Sequence, residues 1–196
     1  MNSSLILASG SPRRRQLLAQ HGYSFEVIPP SDGAECGKCS SESPVELVAR
    51  LAKQKAEDVA KRYDQGVFLG SDTIVECMGS ILGKPANVDH ARETLMLLRN
   101  RPHTVYTSIC LWQRPIDKLL IDVDRTTLTM DDVSDKDLED YLETDLWEGK
   151  AGAFGYQDGL DWVHIVEGSE SNVVGLPMEL LERMLIGFAP DLLPSS

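Results

Sequence analysis

Apolar and polar positions along this chain show two periodicities, and these distinguish predicted strands from predicted helices. Short apolar runs bounded by glycine, proline and serine are typical of buried strands, whereas apolar residues spaced by three and four are typical of amphipathic helices. The patterns predict strands at residues 4–9, 24–28, 67–71, 73–77, 80–83, 103–113, 118–129 and 162–167, and helices at 12–21, 44–63, 87–99, 134–144 and 176–187.

The helix predicted at 44–63 has well-defined start signals. Ser43 can cap its N-terminus, and Pro44 suits its first position. Lys53 and Lys55 fall at the two edges of its apolar stripe, which consists of Val45, Val48, Ala49, Ala52, Ala56 and Val59.

The order of these elements predicts the fold class. Strands and helices alternate in the first half of the chain, and a long hairpin-like pair of strands follows at 103–129. This order is typical of an α/β fold, in which a mixed twisted sheet is flanked by helices. We expect a single domain over residues 1–196 with two lobes around a central cleft, which is where a binding site would lie by default.

Composition narrows the classes of function. The net charge of -12 over 196 residues argues against general binding to nucleic acid or to an anionic membrane. No apolar run approaches the ~20 residues needed to cross a bilayer, and the first residues lack the order of a signal peptide, so we expect a cytoplasmic protein. A phosphate ligand would therefore have to meet a local group of basic residues.

The four cysteines do not indicate a disulfide framework, because we expect a reducing compartment. Cys36 and Cys39 have the spacing of metal ligands, but a structural zinc site needs four ligands and a second pair is not recognisable. We interpret the stretch at 31–43 as a mobile polar loop.

The segment "LILASGSPRRRQLL" carries the first candidate site. Its three arginines stand in the first turn of a predicted helix, where a cation typically costs about 0.3–1 kcal/mol. A bound polyphosphate would make them favourable, because exposed amides at a helix start and arginine forks both bind phosphate oxygens. The alternative is a capped surface helix with solvated arginines. Helical geometry prevents all three from facing one ligand, so we expect Arg13 and Arg14 near it and Arg15 in solvent.

The segment "FLGSDTIVE" carries the second candidate site. Asp72 is predicted at or near the end of the strand at 67–71, with Thr73 and Glu76 close behind it. Aspartate is disfavoured inside strands, and a carboxylate at a strand end in α/β enzymes tends to hold a metal or activate water. An Asx turn is the alternative explanation.

Two further segments carry weaker signals. Lys84 stands in a Gly-Lys-Pro turn, where a lysine usually faces solvent. The segment "GKAGAFGYQDG" has four glycines in 11 residues, which permits close backbone approach to a ligand. Gln157 within it has donor and acceptor groups suited to a nucleobase edge. A flexible connector is the alternative, although Phe154 and Tyr156 argue against one.

Six motifs in order, "LILASGSPRRRQLL", "VARLAKQKA", "GSDTIV", "LGKP", "GKAGAFGYQDG" and "NVVGLP", resemble the Maf family of nucleoside triphosphate pyrophosphatases. The resemblance implies an elongated cleft and an architecture like that of inosine triphosphate pyrophosphatase. It also implies hydrolysis of a nucleoside triphosphate to the monophosphate and pyrophosphate with a divalent cation, Mg²⁺, Mn²⁺ or Co²⁺. A homodimer is suggested by this resemblance alone.

The resemblance also implies roles for individual residues. Asp72 would accept a proton from water, and Asp72 and Glu35 would hold the metal, with Asp32 as an alternative to Glu35. The phosphate channel would be lined by Ser9, Ser11, Arg13, Arg14, Lys55 and Lys84. The positions that separate the subfamilies are Arg13, Thr73 and Gln157, and this set resembles the branch that prefers dTTP and UTP.

One departure from the family pattern concerns the base. Gln157 is followed by Asp158, where the family usually has glycine, and an extra carboxylate there could shift which base is accepted. We therefore expect a pyrimidine nucleoside triphosphate pyrophosphatase acting on dTTP, UTP and, as further candidates, CTP or modified pyrimidines. The alternatives are a non-catalytic nucleotide-binding regulator linked to septum formation or cell division, and a phosphatase that releases single phosphates.

Overall fold

The computed structural model describes residues 4–37 and 42–194 of the chain. It confirms the predicted order of elements, with most bounds within three residues of those predicted. Cys39 of the proposed metal-ligand pair lies outside the described residues. The strands are β1 (Leu5–Leu7), β2 (Phe25–Val27), β3 (Gly66–Cys77), β4 (Ser80–Leu82), β5 (Pro102–Arg114), β6 (Lys118–Met130) and β7 (Val163–Glu167), and the helices are α1 (Pro12–Gln20), α2 (Pro44–Ala60), α3 (Val88–Leu98), α4 (Asp135–Leu142), α5 (Glu170–Val174) and α6 (Met178–Phe188).

Two predictions about these elements were wrong. The strands expected at 67–71 and 73–77 form one strand, β3, so Asp72 lies inside a strand and not at its end. The strand that ends near Asp72 is the neighbouring strand β1. The last parallel pair of the two strands is Leu7 and Leu69, and Asp72 lies three residues after Leu69 on β3. The second error is α5, which was not predicted because five residues are too few to establish a helical period.

The strands form a mixed sheet, as expected. Among the described residues it has seven strands in the order β2-β1-β3-β5-β6-β7, with β4 paired to β3 off this path. Pairing is parallel between β1 and both β2 and β3, and antiparallel between β3 and β4 and between β6 and β7. The chain divides into two compact units, the first made of Met1–Asp72, Thr107–Asp124 and Gly175–Ser196 and the second of Thr73–Tyr106 and Arg125–Val174.

In the first unit, helices cover both faces of the strands. Side chains alternate between the two faces of a strand, so Leu5 and Leu7 share one face and Ile6 takes the other. The face of Leu5 and Leu7 packs with residues of α1 and α6, including Leu18 and Leu181. The opposite face packs against small residues of α2, namely Ala52, Ala56, Val59 and Ala60. Small side chains on α2 let this helix approach the sheet closely.

The second unit has its own apolar core. Side chains from β3, β5, β6 and β7 pack there with α3, α4 and the glycine-rich segment, and the buried members include Val75, Leu95, Leu128 and Phe154. Ser134 caps α4, whose first turn carries Asp135 and Asp137, as the helix dipole favours. In the part of the chain that the structure describes, no helix combines the length and apolarity required to cross a membrane.

Candidate functional site

The approach of α2 to β3 determines where the first functional side chains lie. A Cβ atom added at Gly70 would lie 2.1 Å from the carbonyl oxygen of Ala52 and 2.9 Å from the amide nitrogen of Ala56. Only glycine therefore fits at this point of β3. Asp72 follows two residues later on the same face of the strand, and Lys55 follows Ala52 by about one helical turn. The contact thus brings the two charged side chains together.

Lys55 bridges two carboxylates. Its Nζ lies 2.5 Å from Oδ1 of Asp72 and 3.2 Å from Oε2 of Glu35. The sequence placed Lys55 at the edge of an apolar stripe, but its side chain is only 9% exposed and that of Asp72 12% exposed. A buried charge is stable only when it is paired, so these groups form one electrostatic unit. Glu35 and Asp32 are both exposed, and it is Glu35 that forms an ion pair with Lys55.

Arg14 is held in place by neutral oxygen atoms. Its Nε donates to the carbonyl of Gly175 at 2.7 Å, and its Nη1 donates to Oγ of Ser9 at 3.2 Å. The same carbonyl accepts a hydrogen bond from Oγ of Ser71 at 3.1 Å, next to Asp72. Burial lowers the pKa of Arg14, the negative charge of Asp72 raises it, and the nearby charge of Arg13 lowers it. Arg14 therefore lies within the electrostatic reach of the catalytic candidate.

Ser9 anchors the start of the first helix. The backbone N–H of Ser11 donates to Oγ of Ser9 at 3.2 Å, so this buried hydroxyl binds both the turn and Arg14. Arg15 is exposed, as predicted, and Arg13 is half-buried. The strand-turn-helix unit thus holds Arg14 through Ser9, and Arg13 is near enough for its charge to lower the pKa of Arg14.

Arg50 holds the loop that carries Glu35. Its guanidinium bonds both carboxylate oxygens of Glu42, at 2.5 and 2.7 Å, and the carbonyls of Cys36 and Gly37, at 3.1 and 3.0 Å. These contacts connect helix α2 to the loop beside Lys55.

The remaining site candidates belong to the second unit. Thr73 follows Asp72 on β3 and is half-buried, and Lys84 is exposed in the turn after β4, as predicted. Gln157 is exposed in a short 3-10 turn, Tyr156–Asp158. The glycine-rich segment is therefore structured and is not a flexible connector.

Asp158, the carboxylate that the sequence places next to Gln157, is already paired in the free protein. Its carboxylate forms an ion pair with Lys150, and the two side chains are 11% and 9% exposed, respectively. Sequence reasoning missed Lys150 although it lies inside a motif already singled out. It also missed the carbonyl of Gly175, because backbone acceptors carry no residue-type signal.

The residues present fit a divalent cation that arrives with phosphates. Within residues 4–37 and 42–194, no group of three or more His, Cys, Asp or Glu side chains could hold a metal ion. Two carboxylates, those of Asp72 and Glu35, converge on the single ammonium of Lys55. Mg²⁺ is commonly held by one or two protein carboxylates together with substrate phosphates and water. Asp72 and Glu35 are the groups that could supply this protein share.

Comparisons with known proteins agree with the motif order. The family model described as "Maf-like protein" matches residues 4–188. The dTTP/UTP pyrophosphatase of Rhodopirellula baltica is 57% identical over 94% of this chain and 82% of that protein. The dTTP/UTP pyrophosphatase of Dictyoglomus thermophilum is 40% identical over 94% of this chain and 96% of that protein.

A solved structure, the nucleoside-triphosphatase / dITP/XTP pyrophosphatase of Mycobacterium abscessus, overlaps 95% of this chain and 99% of that chain with 14% identity and a TM-score of 0.44. A TM-score below 0.5 does not establish a shared fold. The assignment therefore rests on the family model, which spans nearly the whole chain, and on the relatives. The chain belongs to the Maf family.

Proposed function

We propose that this protein hydrolyses pyrimidine nucleoside triphosphates, dTTP and UTP first, to the nucleoside monophosphate and pyrophosphate. The observation that carries the proposal is a cluster in which Lys55 pairs with Asp72, and Arg14 binds the same carbonyl of Gly175 as Ser71, the neighbour of Asp72. Cations that hold phosphates beside a carboxylate that orients water are the recurring parts of phosphoryl-transfer sites. The two relatives described above carry the name of this activity.

In the proposed reaction, water attacks the α-phosphorus and the bond from that phosphorus to the α–β bridging oxygen breaks. Asp72 accepts the proton of the attacking water, and the bridging oxygen leaves with pyrophosphate. Arg13, Arg14 and Lys55 bind phosphate oxygens, with Ser9, Ser11 and Lys84 as further donors. The ion pair with Lys55 fixes the orientation of the Asp72 carboxylate.

The proposal includes a divalent cation, Mg²⁺, Mn²⁺ or Co²⁺, held by Asp72 and Glu35. When bound, it would neutralise phosphate charge and polarise phosphoryl oxygens. Arg13, Thr73 and Gln157 are proposed to set base preference, on the family pattern alone. A cytoplasmic location and a homodimer stay predictions.

The test is an assay of natural and modified triphosphates with each of the three metals, with products identified by mass. Pyrophosphate and monophosphate from dTTP and UTP support the proposal. Nucleotide binding without pyrophosphate release would favour the regulatory alternative, and orthophosphate would favour a phosphatase.

Asp72→Asn is the decisive variant. We expect it to fold, because Glu35 still balances the charge of Lys55, and to lose at least about a hundredfold in kcat, in line with the loss of a general base. The matched control is Asp32→Asn, which removes an exposed acid from the same loop as Glu35 and should retain wild-type turnover. Wild-type turnover in Asp72→Asn would refute the assignment.

A further inference from the structure

An ion pair closes the glycine-rich segment of the second unit. Lys150 stands at the start of the segment and Asp158 near its end, and their side chains form a direct contact while only 9% and 11% exposed. Burying such a pair costs desolvation energy, and a buried pair often adds little net stability. Its separation of eight residues makes it a constraint on the path of the chain between the two partners.

The pair rests directly on the backbone that precedes Gln157. A Cβ atom added at Gly155 would lie 2.4 Å from Oδ2 of Asp158 and 2.6 Å from Nζ of Lys150. The N–H of Asp158 donates to the carbonyl of Gly155 at 3.0 Å and closes the turn that contains Gln157. The turn is therefore held both by a backbone hydrogen bond and by the ion pair above it.

A third contact fixes the segment from its other side. The hydroxyl of Tyr141 donates to the carbonyl of Ala153 at 3.3 Å. Burial and the negative charge of Asp158 both raise the pKa of Tyr141, which keeps its hydroxyl protonated and able to donate. Gln157 is left exposed at the centre of a turn whose two flanks are constrained.

We propose that Asp158 is a positioning residue that acts through Lys150 to orient Gln157 and thereby sets nucleobase discrimination. The inference rests on the proposed function, in which Gln157 contributes to base preference. An amide discriminates between bases only if its donor and acceptor are held in fixed directions. Neutralising Asp158 leaves Lys150 charged and buried without its partner, so the turn has to rearrange.

The experiment compares Asp158→Asn, Gln157→Ala and the double variant with the wild type. The readouts are kcat and KM for dTTP and dGTP with Mg²⁺, pyrophosphate release and the midpoint of thermal unfolding. We expect Asp158→Asn to reduce the ratio of kcat/KM for dTTP over dGTP by about fivefold to tenfold, the loss of roughly one hydrogen bond. We expect KM for dTTP to rise while kcat for dTTP stays at the wild-type value.

The double variant supplies the decisive comparison. If Asp158 acts through Gln157, the double variant should have the same ratio as Gln157→Ala alone, because the two changes are then not additive. Independent, additive losses would overturn the proposal. So would an equal loss of activity on dTTP and dGTP, which is what a purely structural role predicts.

A second variant covers the case in which Asp158→Asn does not fold. Lys150→Met combined with Asp158→Leu removes the ion pair that constrains the turn without leaving a buried charge unpaired. Because the constraint is lost, the ratio should fall by the same factor. An unchanged ratio in this variant overturns the inference and leaves the proposed function standing. Absence of pyrophosphate release by the wild type would overturn both.

Discussion

Gly70→Ala tests the contact that assembles the proposed catalytic pair. The added Cβ would lie 2.1 Å from the carbonyl oxygen of Ala52, whereas carbon and oxygen normally approach no closer than about 3.3 Å. Helix α2 would therefore have to withdraw by roughly 1 Å. Lys55 moves with this helix, and the 2.5 Å contact between its Nζ and Asp72 would lengthen beyond ordinary hydrogen-bonding distance.

Both stability and turnover should fall in this variant. Overpacking of a well-packed interior costs about 1–3 kcal/mol. For a chain of this size that corresponds to a decrease of roughly 2–12 °C in the midpoint of thermal unfolding. A misplacement of about 1 Å at a catalytic group can cost on the order of a hundredfold in rate, so kcat for dTTP should fall by about that factor.

The assays are differential scanning calorimetry and steady-state pyrophosphate release from dTTP at saturating Mg²⁺. Gly187→Ala is the matched control, because a Cβ there meets nothing within 4 Å and the residue lies in helix α6. This control should keep wild-type turnover and gain up to about 1 kcal/mol in stability. Wild-type values for both stability and kcat in Gly70→Ala would refute the packing geometry. A loss of stability without a loss of kcat would refute the link to Lys55 and Asp72.

Two further predictions concern other parts of the structure. Arg50→Lys replaces a guanidinium that bonds Glu42 and two carbonyls of the loop carrying Glu35. We expect kcat/KM to fall about threefold to tenfold and the Mg²⁺ concentration for half-maximal activity to rise. An unchanged Mg²⁺ requirement would show that Arg50 does not position Glu35. Burial lowers the pKa of His103 below its ordinary value, so the unfolded chain takes up a proton that the folded chain does not, and the free energy of unfolding should decline as pH falls below about 6.5. His103→Asn should reduce that slope by up to about 1.4 kcal/mol per pH unit in chemical unfolding at pH 5 to 7, and an identical slope would contradict this reasoning.

The parts of the site that are close in the chain could be predicted from the sequence. Ser9 and Arg14 are five residues apart, within one strand-turn-helix unit whose local rules are known. The order of strands and helices was predictable for the same reason, since apolar periodicity reports local structure. Asp72 could be identified from its residue type. The strand end beside it belongs to the neighbouring strand β1, and only the register between the two strands shows this.

Contacts between distant residues could not be predicted in this way. Lys55 and Asp72 are 17 residues apart, and their contact depends on how closely a helix packs at Gly70. The hydrogen bonds from Arg50 to its loop go to main-chain carbonyls, which every residue has, so residue types do not predict them. The pairing of Lys150 with Asp158 needs the path of the glycine-rich segment, which positive φ angles make irregular. In each case the missing information is tertiary packing.

The structure also changes the explanation of the arginines at the start of α1. In the free protein the cations Arg13, Arg14 and Lys55 are already offset by the carboxylates of Glu35 and Asp72, which leaves one net positive charge. A polyphosphate is therefore not required to stabilise the arginines there. A triphosphate carries more negative charge than one net positive charge can balance, so further positive charge must accompany the substrate. The charge of the cluster therefore supports the divalent cation of the proposed reaction, and it does so even when Lys84, the further cation proposed to bind phosphate, is counted.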